Sequence, residues 1–213
     1  MAPSAAVLLF GDRPAPRPLD GLPTVHAQDA ASIDTALDSY QRLVVVGDDA
    51  DLAAVLTRLL RADRLDVEVA YAPRRRTTAT RVYRLPTGRR AARRARRGSA
   101  RQVPLIRDET GTVIVGRACW LPPDDRSSVH GEAVVDDTVL FDGDAAQVWI
   151  EPTLAVPGLR AALNTGRWRR WISGRAAQLG TTGATVVRDG VPAARTARRS
   201  TFYRNVEGWL LVR

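Results

Sequence analysis

Three carboxylates, Asp48, Asp49 and Asp51, stand within four residues directly after the apolar run Leu43-Val44-Val45-Val46 and Gly47. Carboxylates beside a glycine, at the carboxyl end of a buried strand, can share a Mg²⁺ ion with the phosphates of a ligand. In that case Asp49 and Asp51 are the metal ligands. Without a metal the same charges repel an incoming phosphate, by roughly 4 kcal/mol at 4 Å and an effective dielectric of 20. Two readings stay open: a metal-dependent or spoiled phosphate site, and a solvated acidic turn in which Asp51 caps the helix that follows.

Further segments carry chemistry of the opposite sign. Arg74-Arg75-Arg76-Thr77-Thr78 offers guanidiniums and hydroxyls, good partners for phosphate. Between Thr87 and Gly98 a helix is expected, with Arg89, Arg93 and Arg97 on one face, Arg90 and Arg94 beside them, and alanines behind. Like charges four apart disfavour such a helix, and a polyanion would relieve them; a solvated arginine face is the alternative. Arg167-Trp168-Arg169-Arg170-Trp171 mixes indoles with guanidiniums. That mixture suits an anionic membrane interface or single-stranded nucleic acid, or else indoles packed on a β-domain with the arginines in water. Asp189 is the sole acid between Arg160 and Arg204. It is either a general base or the first residue of a tight Asp-Gly turn.

The elements that position these residues fall into two classes. Strands are expected at Ala6–Phe10, Thr24–His26, Arg42–Val46 and Val67–Tyr71, and helices at Ala30–Tyr40 and Asp51–Arg61, which is the pattern of parallel βαβ units. From Gln102 onward, short runs rich in Val, Ile, Thr and Trp alternate with Gly, Asp and Pro, a β-domain signature. Expected hairpins close at Glu109-Thr110-Gly111, Asp136-Asp137, Asp142-Gly143 and Asp189-Gly190, and Trp209–Arg213 is expected as the last strand of the β-domain. The division expected is residues 1–88 as an α/β domain and 89–213 as a basic helix with a β-sandwich.

Charge is blocked along the chain. The net is +9, carried by arginine alone; residues 69–107 hold 13 Arg and no acid, whereas residues 108–159 hold 2 Arg and 10 acids. One cysteine excludes a disulfide scaffold, and His26 and His130 have no zinc-site spacing. No apolar stretch reaches the length of a membrane span. The opening Met1-Ala2-Pro3-Ser4 has no basic lead, so a cytoplasmic protein is expected, peripheral at the inner membrane face if it meets lipid.

The turn after Val46 resembles that of the diacylglycerol kinase family, with its sphingosine kinase and NAD kinase relatives, which carry Gly-Gly-Asp-Gly-Thr there. Gly47 and Asp49 match; Asp48, Ala50 and Asp51 replace Gly, Gly and Thr. Val67 to Pro73, Arg74 to Pro86, Thr87 to Gly98, Arg101 to Gly111 and Arg188-Asp189-Gly190-Val191-Pro192 are similar to later family segments in order and spacing. The resemblance implies a Rossmann-like three-layer α/β domain followed by a β-sandwich. It also implies a nucleotide site at Gly47, Asp48, Asp49, Asp51, Arg74, Arg75, Arg76, Thr77 and Thr78, Mg²⁺ and ATP as cofactors if active, and Asp189 as base. The family's glycine-rich second loop is gone here, and Val191 replaces an acid. A lipid-kinase-like protein with weak or lost phosphotransfer that binds anionic lipid or a protein partner ranks first. An active lipid kinase ranks second, and nucleic-acid binding through arginine patches third.

Overall fold

The uninterrupted apolar runs of the first half build a sheet with both faces covered. A computed structural model of the chain describes residues 4–124, 126–165 and 169–213. It divides into two units, Met1–Val103 with Glu207–Arg213, and Pro104–Val206. In the first lie β1 (Ala5–Leu9), β2 (Thr24–His26), α1 (Ala30–Ser39), β3 (Arg42–Val46), α2 (Asp49–Arg61), β4 (Glu68–Tyr71), α3 (Thr78–Val82), α4 (Gly88–Arg97) and β5 (Ala100–Val103). The chain's last strand, β17 (Trp209–Val212), joins them. The sheet order is β2-β1-β3-β4-β17-β5, parallel except for β5.

The domain division therefore differs from the one expected. The α4 helix belongs to the first unit, not the second, because Ala91, Ala92 and Ala95 are buried against Val7, Val44, Val46, Ala70 and Val212. Alanine lets a helix sit close to a sheet, so this face is deeply packed while the arginines point outward. Leu43 and Val45 are also fully buried, on the opposite face, where α2 packs on β3 and α1 on α2. Trp209–Arg213 and the first residues after α4 likewise belong to this sheet, since β17 inserts between β4 and β5.

Three helices open on capping boxes. Asp48, not Asp51, is the N-cap of α2: its carboxylate accepts the Asp51 amide while Asp51 accepts the Asp48 amide at 2.8 Å. Gly47 is required beside them, because a Cβ there would lie 2.4 Å from the Asp51 Oδ2. Asp29 with Ser32 caps α1, and Thr77 with Thr80 caps α3.

The second unit holds β6 (Ile106–Asp108), β7 (Val113–Ile114), β8 (Ala118–Leu121), β9 (Val129–Val135), β10 (Thr138–Ala145), β11 (Val148–Pro152), β12 (Leu159–Leu163), β13 (Ile172–Gly174), β14 (Ala176–Arg188), β15 (Val191–Pro192) and β16 (Ala197–Arg204). Its two layers share β14. The first half of that strand pairs with β9 and β16, the second with β8 and β15, with an irregularity between Gly180 and Ala184. Trp120 and Phe202 are fully buried between the layers, and the Trp120 indole N–H donates to Ser200 Oγ at 3.0 Å. Asp142-Gly143, expected as a turn, instead lies within β10, where it continues the ladder opposite Glu132 and Gly131. The strand expected over Thr112–Trp120 is broken into β7 and β8. No helix among the described residues is long and apolar enough to cross a membrane.

Candidate functional site

Two sets of charged side chains stand out in the first unit. The first is the acidic turn. Each carboxylate in it has a partner. Asp49 accepts the Tyr71 hydroxyl at 3.0 Å through Oδ1 and the Ala79 amide at 3.0 Å through Oδ2. Burial, then the Asp49 charge, push the Tyr71 hydroxyl's pKa well above its usual value, so it stays a donor. Arg13, from the loop after β1, donates to Asp51 at 3.0 Å and to Asp48 at 3.3 Å. Partial burial pushes the Asp48 carboxyl up, but the Asp51 amide and the Arg13 guanidinium outweigh it and hold it below the usual range. Asp51 is pushed up, mainly by burial, with the neighbouring Asp48 charge adding to it.

A Mg²⁺-bound triphosphate fits this donor set poorly. Each Asp49 oxygen already accepts one hydrogen bond from a neutral donor, and Asp48 places a carboxylate where a phosphate cradle needs bare backbone. Arg13 is the cation that pairs with Asp48 and Asp51 in this turn. Among the described residues no group of three or more His, Cys, Asp or Glu is arranged to hold a metal ion.

The second set is cationic. Arg76, Arg81 and Arg84 on the α3 side and Arg90, Arg93, Arg94 and Arg97 of α4 line an open groove of about 940 Å³, together with Ser99 and Arg213. No acidic side chain among the described residues lines it. The α4 wall is held firmly. The buried Arg42 pairs with Glu68 and donates to the Ala95 and Arg96 carbonyls, while Arg96 donates to the Pro18 and Asp20 carbonyls.

The expected nucleotide residues are thus drawn together in part. The Asp49–Ala79 bond joins the Gly47–Asp51 turn to α3, where Thr77 is the N-cap and Thr78 the first residue. Arg74, Arg75 and Arg76 are all exposed, and only Arg76 lines the groove. Of the expected anion-binding arginines on α4, Arg89 is exposed but outside the groove. Arg13, Arg81, Arg84 and Arg213 were missed. Arg81 and Arg84 fall in the acid-free block and could have been found there; Arg13 and Arg213 are brought in only by the tertiary fold.

The remaining residues lie in the second unit. Arg167 and Trp168 are outside the described residues. Arg169 stacks on Trp149 at 4.0 Å, Arg117 covers Trp149 at 3.7 Å, and Arg160 covers Trp171 at 4.2 Å. Arg117 and Arg160 both pair with the buried Glu151, and Arg170 is exposed. Burial pushes Glu151 up, but its bonds to Arg160 and Arg117 hold it below the usual range. Trp149 and Trp171 therefore each lie beneath an arginine of this unit. Asp189 is in the left-handed region with φ 48°, ahead of Gly190 at 88°, and its carboxylate accepts the amides of Val115, Gly116 and Arg117 at 2.7–2.9 Å. This geometry is that of a turn residue anchoring the β7–β8 connection.

No family model matches the chain, and no curated protein matches it in sequence. Solved structures do match. A diacylglycerol kinase from Bacillus anthracis str. Sterne superposes with a TM-score of 0.72 at 10% identity, over 100% of this chain and 98% of that one. An NAD kinase from Archaeoglobus fulgidus in complex with ATP superposes with a TM-score of 0.63 at 12% identity, over 98% of this chain and 93% of that one. The chain has the diacylglycerol kinase-like, NAD kinase-like fold, an α/β domain with a β-sandwich.

Proposed function

We propose that this lipid-kinase-like fold serves to bind anionic lipid, with ATP-dependent phosphotransfer weak or lost. The observation that carries the reading is the groove between α3 and α4, walled by arginines and lined by no acid among the described residues. Arginines at a negative membrane surface contribute about 1 kcal/mol each, over a screening length of about 8 Å at physiological salt. The α4 helix suits that work, since its alanine face is fixed in the core and its arginines face solvent. The acidic turn supports the loss of phosphotransfer, because Arg13 answers charges that a Mg²⁺-nucleotide would otherwise need.

The test is co-sedimentation with vesicles of phosphatidylglycerol and phosphatidylcholine. Binding is expected to fall with added salt, and replacing Arg89, Arg90, Arg93 and Arg94 together by Gln is expected to remove most of it. Equal sedimentation of wild type and variant would place the contact elsewhere.

A further inference from the structure

These arginines line one open, concave patch rather than being spread evenly over the surface. We infer that the groove between α3 and α4 is a receptor for a compact ligand carrying several phosphomonoester groups. The inference rests on the anionic-lipid reading above and names the headgroup chemistry that reading leaves open.

The size is right for one small ligand: about 940 Å³, within the range of roughly 300–1,000 Å³ typical of small-molecule sites. The lining is unusually plain in chemistry. Apart from Leu85 and Pro86 it offers little apolar surface, and no aromatic ring among the described residues lines it. A base would find no aromatic platform there, only the guanidinium planes. Charge and hydrogen bonding to phosphates dominate what this lining can recognise.

The charge density selects among phosphates. Arg90 and Arg94, and Arg93 and Arg97, are like-charged pairs one helical turn apart, on a helix whose ends cannot relax because Arg42 and Arg96 tie its last turn down. A phosphodiester brings about one negative charge. A phosphomonoester brings about 1.5 to 2 and three acceptor oxygens, which guanidinium forks grip in pairs. Several such groups on one scaffold would neutralise both walls at once. Two sources share this chemistry, a polyphosphorylated lipid headgroup and a free polyphosphorylated small molecule.

The experiment has two arms. Calorimetry with myo-inositol hexakisphosphate and with fructose 1,6-bisphosphate, which carry six and two phosphomonoesters, tests the free source. Vesicles containing a polyphosphorylated phosphoinositide, compared with phosphatidylglycerol vesicles of equal surface charge, test the lipid source. Arg93→Gln with Arg94→Gln is expected to weaken binding about tenfold per arginine, the scale of a lost charge-assisted hydrogen bond. Arg17→Gln with Arg61→Gln, the same charge change at exposed positions off the groove, is expected to change it less than about twofold, as bulk charge alone would be screened. Binding of either soluble phosphomonoester ligand without vesicle binding keeps the inference and removes the membrane reading. Preference for phosphoinositide over charge-matched phosphatidylglycerol keeps both. Vesicle binding that follows surface charge alone, with no soluble ligand bound, overturns the inference and leaves the membrane reading standing. An equal loss in the control variant overturns the inference. No binding in either arm overturns both.

Discussion

Asp49 holds the amide of Ala79 at 3.0 Å, so the acidic turn after β3 and the first turn of α3 move as one piece. A carboxylate that the family resemblance assigns to nucleotide binding is here a structural clamp on one wall of the arginine groove. Asp49→Ala leaves the Tyr71 hydroxyl and the Ala79 amide without this acceptor. The expected loss is about 1–3 kcal/mol of stability, read from the urea midpoint, together with weaker anion binding through a loosened α3. Unchanged stability would return Asp49 to a ligand-binding role.

Mg²⁺-ATP is expected to bind with a dissociation constant weaker than about 1 mM, or roughly 4 kcal/mol. Labelled ATP is expected to transfer no phosphate to a panel of diacylglycerols, in the wild type or in Asp189→Asn. Asparagine tolerates the left-handed backbone of residue 189, so this variant weakens the bonds to the three amides without straining the turn. It should cost about 2 kcal/mol through those bonds. Low-micromolar ATP affinity, or turnover that disappears in Asp189→Asn with the fold intact, would overturn the non-catalytic reading.

Glu151 makes the second unit acid-sensitive. Its folded pKa lies below the ordinary glutamate value, held there despite burial by Arg160 and Arg117, so the unfolded chain takes up the proton first. Its contribution is fully present above the unfolded value and is lost as pH falls through the folded one. Glu151→Gln should flatten that acid limb. At neutral pH it should cost about 2–4 kcal/mol, at or below the full figure for a buried pair because Arg117 and Arg160 are partly solvated. Identical acid limbs in thermal scans from pH 3 to pH 7 would show that the Glu151 pair carries no such linkage.

Gly131 is a packing constraint between β9 and β14. A Cβ there would lie 2.1 Å from the Gly180 carbonyl oxygen, which belongs to backbone and cannot swing away. Gly131→Ala is expected to cost about 3 kcal/mol, whereas Gly143→Ala, in open space, pays only for its backbone angle. Comparable melting temperatures for Gly131→Ala and wild type would mean the two strands part easily.

Much of the first sheet was legible because its strands are buried on both faces and read as plain apolar runs. Arg42–Val46, buried throughout, coincides with the observed strand, as does the exposed edge strand Thr24–His26, and α1 ends within one residue of its expected stop. The expected hairpin at Asp189-Gly190 also formed, since both residues take the positive φ that the turn requires. What local pattern could not give was sheet membership. Trp209–Val212 has the composition of any edge or core strand, and only its partners, Glu68 and Val69 on one side and the Ala100–Val103 strand on the other, assign it to the first unit. The site divided the same way. The acidic turn was visible as a cluster, but its cation, Arg13, comes from a proline-rich loop 38 residues from Asp51. The α4 arginines were visible as a face; the opposite wall and Arg213 were not, because a groove is a property of two elements.

The position of β17 also sets the order in which the molecule can be assembled. This strand fills the gap between β4 and β5, pairing Leu210 with Glu68 and with Gln102. During vectorial synthesis β4 and β5 emerge early and wait, one with an open edge and the other with no neighbour, while all of Pro104–Val206 is made. Such non-local closure is slow and leaves strand edges exposed to other chains. The nascent first unit is therefore the aggregation-prone stage of this protein's life. Chaperone dependence should track the delay before residues 209–212 arrive, more than the stability of the finished fold.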